Sequence, residues 1–150
     1  MTPDDLKART KKFAVNVIQF SRSIPHDPIN SRIASQLTDA ATSVAAHYRA
    51  VCRAKSRADF INKLWGAIEE VDESALWLEI LAEVGICASS KIRSLWREAD
   101  ELTRIFVRSR ETARARQKAA KQQAEKRTES RITNQQRIAN QRSSNQQLID

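Results

Sequence analysis

A chain of 150 residues with a formal net charge of +8 has room for one domain and little more. It holds only 2 Gly and 3 Pro, too few for the tight turns that link strands, which excludes an all-β fold. The isolated Gly66 and Gly85 exclude a glycine-rich phosphate loop. Hydrophobic residues make up 41% of the chain, enough for a real core. No apolar run approaches the roughly 18 residues of a membrane span. The polar N-terminal stretch from Met1 to Thr10 does not read as a leader, so the expected location is the cytoplasm.

The first predicted helix runs from about Asp4 to Arg22. Thr2 can cap it, Pro3 suits its first position, and Asp4 and Asp5 suit the positive end of its dipole. Leu6, Phe13, Val17 and Phe20 supply its apolar stripe. Pro25 and Pro28 break it. The second helix is predicted to start near Asn30 or Ser31. Ile33, Leu37, Ala40, Val44, Tyr48 and Val51 recur along it at steps of three or four. Ser56 with Asp59 reads as a capping box for a third helix, which Gly85 ends after about Val84. Phe60, Leu64, Ala67, Val71, Ala75 and Leu78 form its stripe, which Trp65, Ile68, Trp77, Ile80 and Leu81 widen. The fourth helix begins at Ser89 or Ser90 and carries Ile92, Leu95, Ala99, Leu102, Phe106 and Ala113, with Trp96 and Ile105 beside them.

Beyond about Thr112 the pattern changes. Residues 111–150 hold 9 Lys+Arg against 4 Asp+Glu, and only Ile132, Ile138, Leu148 and Ile149 as large aliphatics. The predicted organisation is therefore a bundle over residues 1–112 and a basic tail over 113–150. The tail is expected to extend the last helix to about Arg127 and then to be disordered.

Four helices with short connections predict an all-α, up-down-up-down bundle. In that topology one pole collects Lys7, Arg9, Lys11, Lys12, Arg49, Arg53, Lys55, Arg57, Arg104, Arg108 and Arg110, together with the root of the tail. Residues 69–83 contain six Asp or Glu and no Lys or Arg, so charge is polarised along the bundle.

Three ordered segments resemble a known family. They are Ser43 to Ser56, Arg57 to Leu64, and Glu69 to Ser74 with Trp77-Leu78-Glu79. Together they are similar to the small four-helix-bundle proteins found in intervening sequences of large-subunit ribosomal RNA genes, to which the accessory variability proteins of diversity-generating retroelements are related. The resemblance spans roughly residues 5–110. His47 stands where the family usually has Asn, and Ala50 where it often has Glu. The resemblance implies a helical bundle, commonly a ring of five subunits, with a basic surface and no established enzymatic activity.

Chemistry-bearing clusters are sparse. Glu69, Glu70, Asp72 and Glu73 lack the Glu-x-x-His partners of a bundle di-metal site, so no metal or cofactor is expected. His47 has no nucleophile at a defined spacing, and His26 sits between prolines without a partner, so no catalytic residue is expected. Cys52 and Cys87 flank a helix of about 28 residues at about 1.5 Å each, far beyond the ~7 Å between α-carbons that a disulfide tolerates. Trp65, Trp77 and Trp96 could stack on bases, but their helical spacing favours core or subunit contact. The expected oligomer interface is Trp65, Trp77, Ile80 and Leu81.

The remaining feature is the basic pole. The expected function is a non-enzymatic homo-oligomer that binds RNA or DNA through phosphates, using Lys7, Lys11, Arg49, Arg53, Lys55, Arg57, Arg104 and Arg108. It would act as an accessory to a nucleic-acid-processing system, with an enzyme of that system as partner and no membrane role. The alternative is a protein-interaction or assembly module whose charges serve subunit contacts alone.

Overall fold

The computed structural model describes the backbone of residues 1–86 and 89–147, and the side chains of 1–86 and 90–141. Four helices follow in chain order: α1 (Pro3–Ser21), α2 (Pro28–Val51), α3 (Arg57–Val84) and α4 (Ser89–Gln147). The chain divides into two compact units, Met1–Ala113 and Arg114–Asp150.

Each helix start follows its local chemistry. Thr2 caps α1 by accepting from the Asp5 amide, while the Asp5 carboxylate accepts from the Thr2 amide at 2.7 Å, a complete capping box. Those bonds from Thr2 hold the Asp5 carboxyl below the usual range. The start of α2 departs from expectation. Asp27, not Asn30 or Ser31, is the N-cap, and Pro28 opens the helix instead of breaking it. At the first helical position proline lacks only an N–H that would have no partner anyway, and its φ is already set. Asn30 is instead buried, and its amide donates to the Pro25 carbonyl at 3.2 Å. Ser56 caps α3, and Gly85 ends it with φ at +72°, a left-handed value that a side chain would resist.

The first unit is built on one apolar core. Phe13 and Val17 of α1, Leu37 and Val44 of α2, Leu64, Val71 and Leu78 of α3, and Leu102 and Phe106 of α4 are almost wholly withdrawn from solvent. Each such side chain contributes on the order of 2 kcal/mol through burial. The predicted stripes of α1 and α4 hold, save that Ala113 is only half-buried. On α3 the stripe is rotated: Ile61 and Ile68 are buried, whereas Phe60 and Ala75 are half-buried. Two hydroxyls also lie fully inside, and each is satisfied by its own helix. Thr10 donates to the Lys7 carbonyl at 3.0 Å and Ser74 to the Glu70 carbonyl at 2.8 Å.

Cross-helix contacts set the register. Tyr48 of α2 stacks on Phe106 of α4 with ring centroids 5.5 Å apart. Burial pushes the Tyr48 phenol up to about 12, with Cys52 and Asp4 adding to the shift. Trp65 of α3 meets Arg110 of α4, and Glu79 of α3 meets Trp96, so these two helices run antiparallel. Arg9 of α1 grips Glu98 of α4 through two bonds of 2.6 and 2.9 Å and reaches Glu101 at 2.7 Å. The Glu98 bonds, then Glu101, raise the Arg9 pKa further, so its charge is permanent.

Gly66 holds a second close approach. A β-carbon there would lie 2.9 Å from Nδ1 of His47, so the imidazole of α2 sits in a notch that only glycine leaves open. The His47 Nε2 lies 3.6 Å from Glu70 on the next turn of α3. Burial raises the Glu70 pKa, His47 opposes that rise, and Glu73 and Glu69 add to it.

The second unit is helical from Arg114 to Gln147, where disorder was expected after about Arg127. Its Ala, Arg, Gln, Lys and Glu residues favour helix, and an α-helix satisfies its backbone within itself. The described side chains of 114–141 are all exposed. Cys52 is free and exposed; Cys87 and Leu148 lie outside the described residues.

Two measurements check these assignments. Deleting residues 114–150 should leave the bundle's melting temperature within about 2 °C, and a fall of ten degrees or more would show that the tail carries core contacts. Gly66→Ala should be close to neutral in the native sequence, where helix propensity and the His47 clash oppose each other. In a His47→Ala background the same change should stabilise by about 1 kcal/mol. Equal effects in both backgrounds would remove the notch.

Candidate nucleic-acid interface

The corner between α2 and α3 is built from backbone outward. The last turn of α2 closes with the Cys52 amide on the Tyr48 carbonyl at 3.1 Å, Arg53 on Ala50 at 3.1 Å and Ala54 on Val51 at 3.0 Å. The first turn of α3 closes with the Asp59 amide on Ser56 Oγ at 3.1 Å. Asp59 then accepts from the Lys55 amide at 2.9 Å and from Lys63 Nζ at 2.6 Å. The Lys63 bond, followed by the Lys55 amide, holds the Asp59 carboxyl below the usual range. Asp59 is the only acid between residues 49 and 63, and it is engaged within the corner itself.

That leaves Arg49, Arg53, Lys55 and Arg57 exposed, and none forms an ion pair among the described residues. Arg49 also lies in the last turn of α2, where a cation suits the dipole. The Tyr48–Phe106 stack brings the stretch of α4 bearing Arg104 and Arg108 alongside the end of α2. Arg108 is exposed and unpaired among the described residues. Arg104 pairs with Asp100 one turn earlier, which raises its pKa. Lys7 pairs with Asp4 at 2.8 Å. Both pairs are surface contacts that a phosphate can displace at little cost. Lys11 is exposed but sits about 12 Å along α1 from its start.

The pole is narrower than the topology alone implies. Arg9 is withdrawn from it by Glu98 and Glu101. Arg110 lies over the Trp65 ring at 4.3 Å from its centroid. The expected oligomer interface is also revised. Leu81 is fully buried in the core of its own chain and cannot meet a partner. Trp77 and Ile80 are half-buried, while Trp65 is 45% exposed. Leu76 and Val84, at 52% and 60% exposed, are the open apolar positions of α3 that periodicity missed. Leu81 goes inward because it follows Leu64, Val71 and Leu78 around the buried face of α3.

Two pairings were out of reach of sequence reasoning, the Arg110–Trp65 stack and the His47–Gly66 notch. Each joins residues on different helices whose register only packing sets. Among the described residues no three His, Cys, Asp or Glu converge as a metal group. No described helix is long and apolar enough to cross a membrane.

Known proteins bear on this geometry. A crystal structure at 1.70 Å of a protein of unknown function from the S23 ribosomal protein family of Bacteroides thetaiotaomicron is similar, with a TM-score of 0.65 and 26% identity. The match covers 74% of this chain and 99% of that one. No curated protein matches the chain. The match to the family described as 23S rRNA-intervening sequence protein extends over residues 5–108, which takes in α1, α2, α3 and the core-forming part of α4. The four-helix bundle and its cationic corner are thus those of a member of the 23S rRNA-intervening sequence protein family, to which this chain belongs.

Proposed function

We propose that the protein is a non-enzymatic, homo-oligomeric bundle that binds RNA or DNA through phosphates at the α2–α3 corner, as an accessory to a nucleic-acid-processing system. One observation carries this reading. Four cations within nine residues stand exposed and without ion pairs among the described residues, while the neighbouring acid, Asp59, is engaged by Lys63 and the Lys55 amide. A surface that keeps its positive charge uncompensated attracts polyanions, and the attraction weakens with salt. Membership in a family described by a ribosomal RNA intervening sequence agrees with a nucleic-acid setting. No base-reading element accompanies the cations, so little sequence preference is expected.

A second reading is an assembly module without nucleic acid. It is favoured by the open apolar positions Leu76 and Val84 and by Ile29, which is 72% exposed beside a groove lined with Ile33 and Trp77. A homo-oligomer would cover such surface; under the first reading it would also bring several corners to one strand and raise avidity.

Binding to short RNA and DNA across a salt series tests the main reading. Each phosphate contact should contribute about −0.7 to −0.9 to the slope of log affinity against log salt. Reversing Arg49, Arg53 and Arg57 to Glu should flatten that slope by two units or more while the bundle stays folded. Absence of binding at about 50 mM salt would leave the assembly reading in its place. Light scattering at micromolar concentration should show an assembly larger than a monomer, and Leu76→Glu with Val84→Glu should dissociate it. A monomeric wild-type protein would reject oligomerisation.

A further inference from the structure

We infer that Trp65 and Arg110 form a stacking site for an unpaired base, so that the protein prefers single-stranded RNA or DNA to duplex. This inference rests on the nucleic-acid reading above and adds a second contact to it.

The three tryptophans differ in how they are held. Trp77 donates its indole N–H to Glu73 at 3.1 Å, and Trp96 donates to Glu79 at 2.7 Å. Both pack half-buried against the core. Trp65 has no hydrogen-bond partner among the described residues and keeps 45% of its surface open. Its contact is the Arg110 guanidinium, 4.3 Å from the ring centroid. Arg110 in turn forms no ion pair among the described residues, and its Nε is buried without an acceptor. An open indole beside an uncompensated guanidinium is the pairing that recognises a nucleotide: the ring or the guanidinium plane stacks on the base, and the cation faces the phosphate.

The position fits the corner. Trp65 lies eight residues along α3 from Arg57, about 12 Å. Arg110 follows the exposed Arg108 by two residues. Both lie within the footprint of about 4–16 nucleotides that small single-strand binders occupy. Beyond Trp65 the acids of residues 69–83 repel a phosphate chain, so the strand is steered from Trp65 toward Arg53 and Arg57 and not along α3. A duplex keeps its base faces stacked and internal, so it can use the cations but not the indole. Stacking of this kind tolerates any base, in keeping with an interface that has no base-reading element.

The test uses the full chain and fluorescein-labelled oligo(U) RNA, oligo(dT) DNA and a DNA duplex, each of about 20 nucleotides, near 50 mM salt. Wild-type protein should bind both single strands more tightly than the duplex, and unlabelled oligo(dT) should quench its tryptophan fluorescence. Trp65→Ala should weaken single-strand binding roughly tenfold and duplex binding less than twofold. Trp65→Phe should keep most of the affinity while the quench disappears, because Trp77 and Trp96 remain. Arg110→Gln should weaken single-strand binding more than duplex binding. The triple reversal at Arg49, Arg53 and Arg57 should weaken both ligands alike. A quench that persists in Trp65→Phe, or equal losses on single strand and duplex in Trp65→Ala, overturns the stacking site and leaves the phosphate reading intact. Failure of wild-type protein to bind any of the three overturns both. Should Trp65→Ala not fold, the quench in Trp65→Phe decides.

Discussion

Phe13, Leu37, Leu64 and Phe106 come from four different helices, and each is almost entirely excluded from water. Their burial is the constraint from which the other features follow. A helix can satisfy its backbone alone, but its angular and axial position against its neighbours is set only by where its apolar stripe must go. The stack of Tyr48 on Phe106 brings α4 beside the end of α2. Arg104 and Arg108 then arrive near Arg49 and Arg53 without any attraction between like charges to draw them there. Apolar packing thus overrides a repulsion of the magnitude expected between exposed cations, which water and salt reduce to a small term.

Several acids of the bundle are engaged while many of its bases are not. Glu73 and Glu79 hold the indole N–H groups of Trp77 and Trp96, Glu70 faces His47, and Glu98 with Glu101 clamps Arg9. Asp59 is engaged by Lys63 and the Lys55 amide. Residues 111–150, with 9 Lys+Arg against 4 Asp+Glu, carry most of the chain's net charge of +8, and within the bundle the turn between α2 and α3 is one place where cations stand without ion-pair partners among the described residues. Arg9 shows the contrast. It was one of the pole's cations by topology, yet a bidentate, partly buried carboxylate contact makes it a structural tie between α1 and α4. The uncompensated positive surface is therefore defined as much by where carboxylates are absent as by where arginines are present.

Small residues carry part of the same design. Thr10 and Ser74 lie within the apolar stripes, where a hydroxyl is tolerated because the helix carbonyl three or four residues earlier accepts its proton. Gly66 costs α3 some helix propensity. In exchange, the His47 imidazole lies against the helix backbone within 3.6 Å of Glu70. Neither feature is visible as a periodicity, and Gly66 is where α2 and α3 approach closely.

The sequence by itself determined the four helices, most of their ends, the core stripes of α1 and α4, and the four cations of the α2–α3 corner. These are local properties: capping residues act within a turn, stripes repeat along one helix, and Arg49 to Arg57 are neighbours in the chain. The opening of α2 at Pro28 was also local but was misread, because proline's meaning depends on whether it falls at the first helical position or inside. Only the tertiary structure decided that Leu81 turns inward while Leu76 and Val84 stay open. It likewise decided that Arg9 is tied to α4, that Trp65 lies under Arg110, and that Gly66 makes room for His47. Each of those depends on the relative rotation and register of two helices. That register is set by the packing of all four stripes at once and leaves no mark in any one of them.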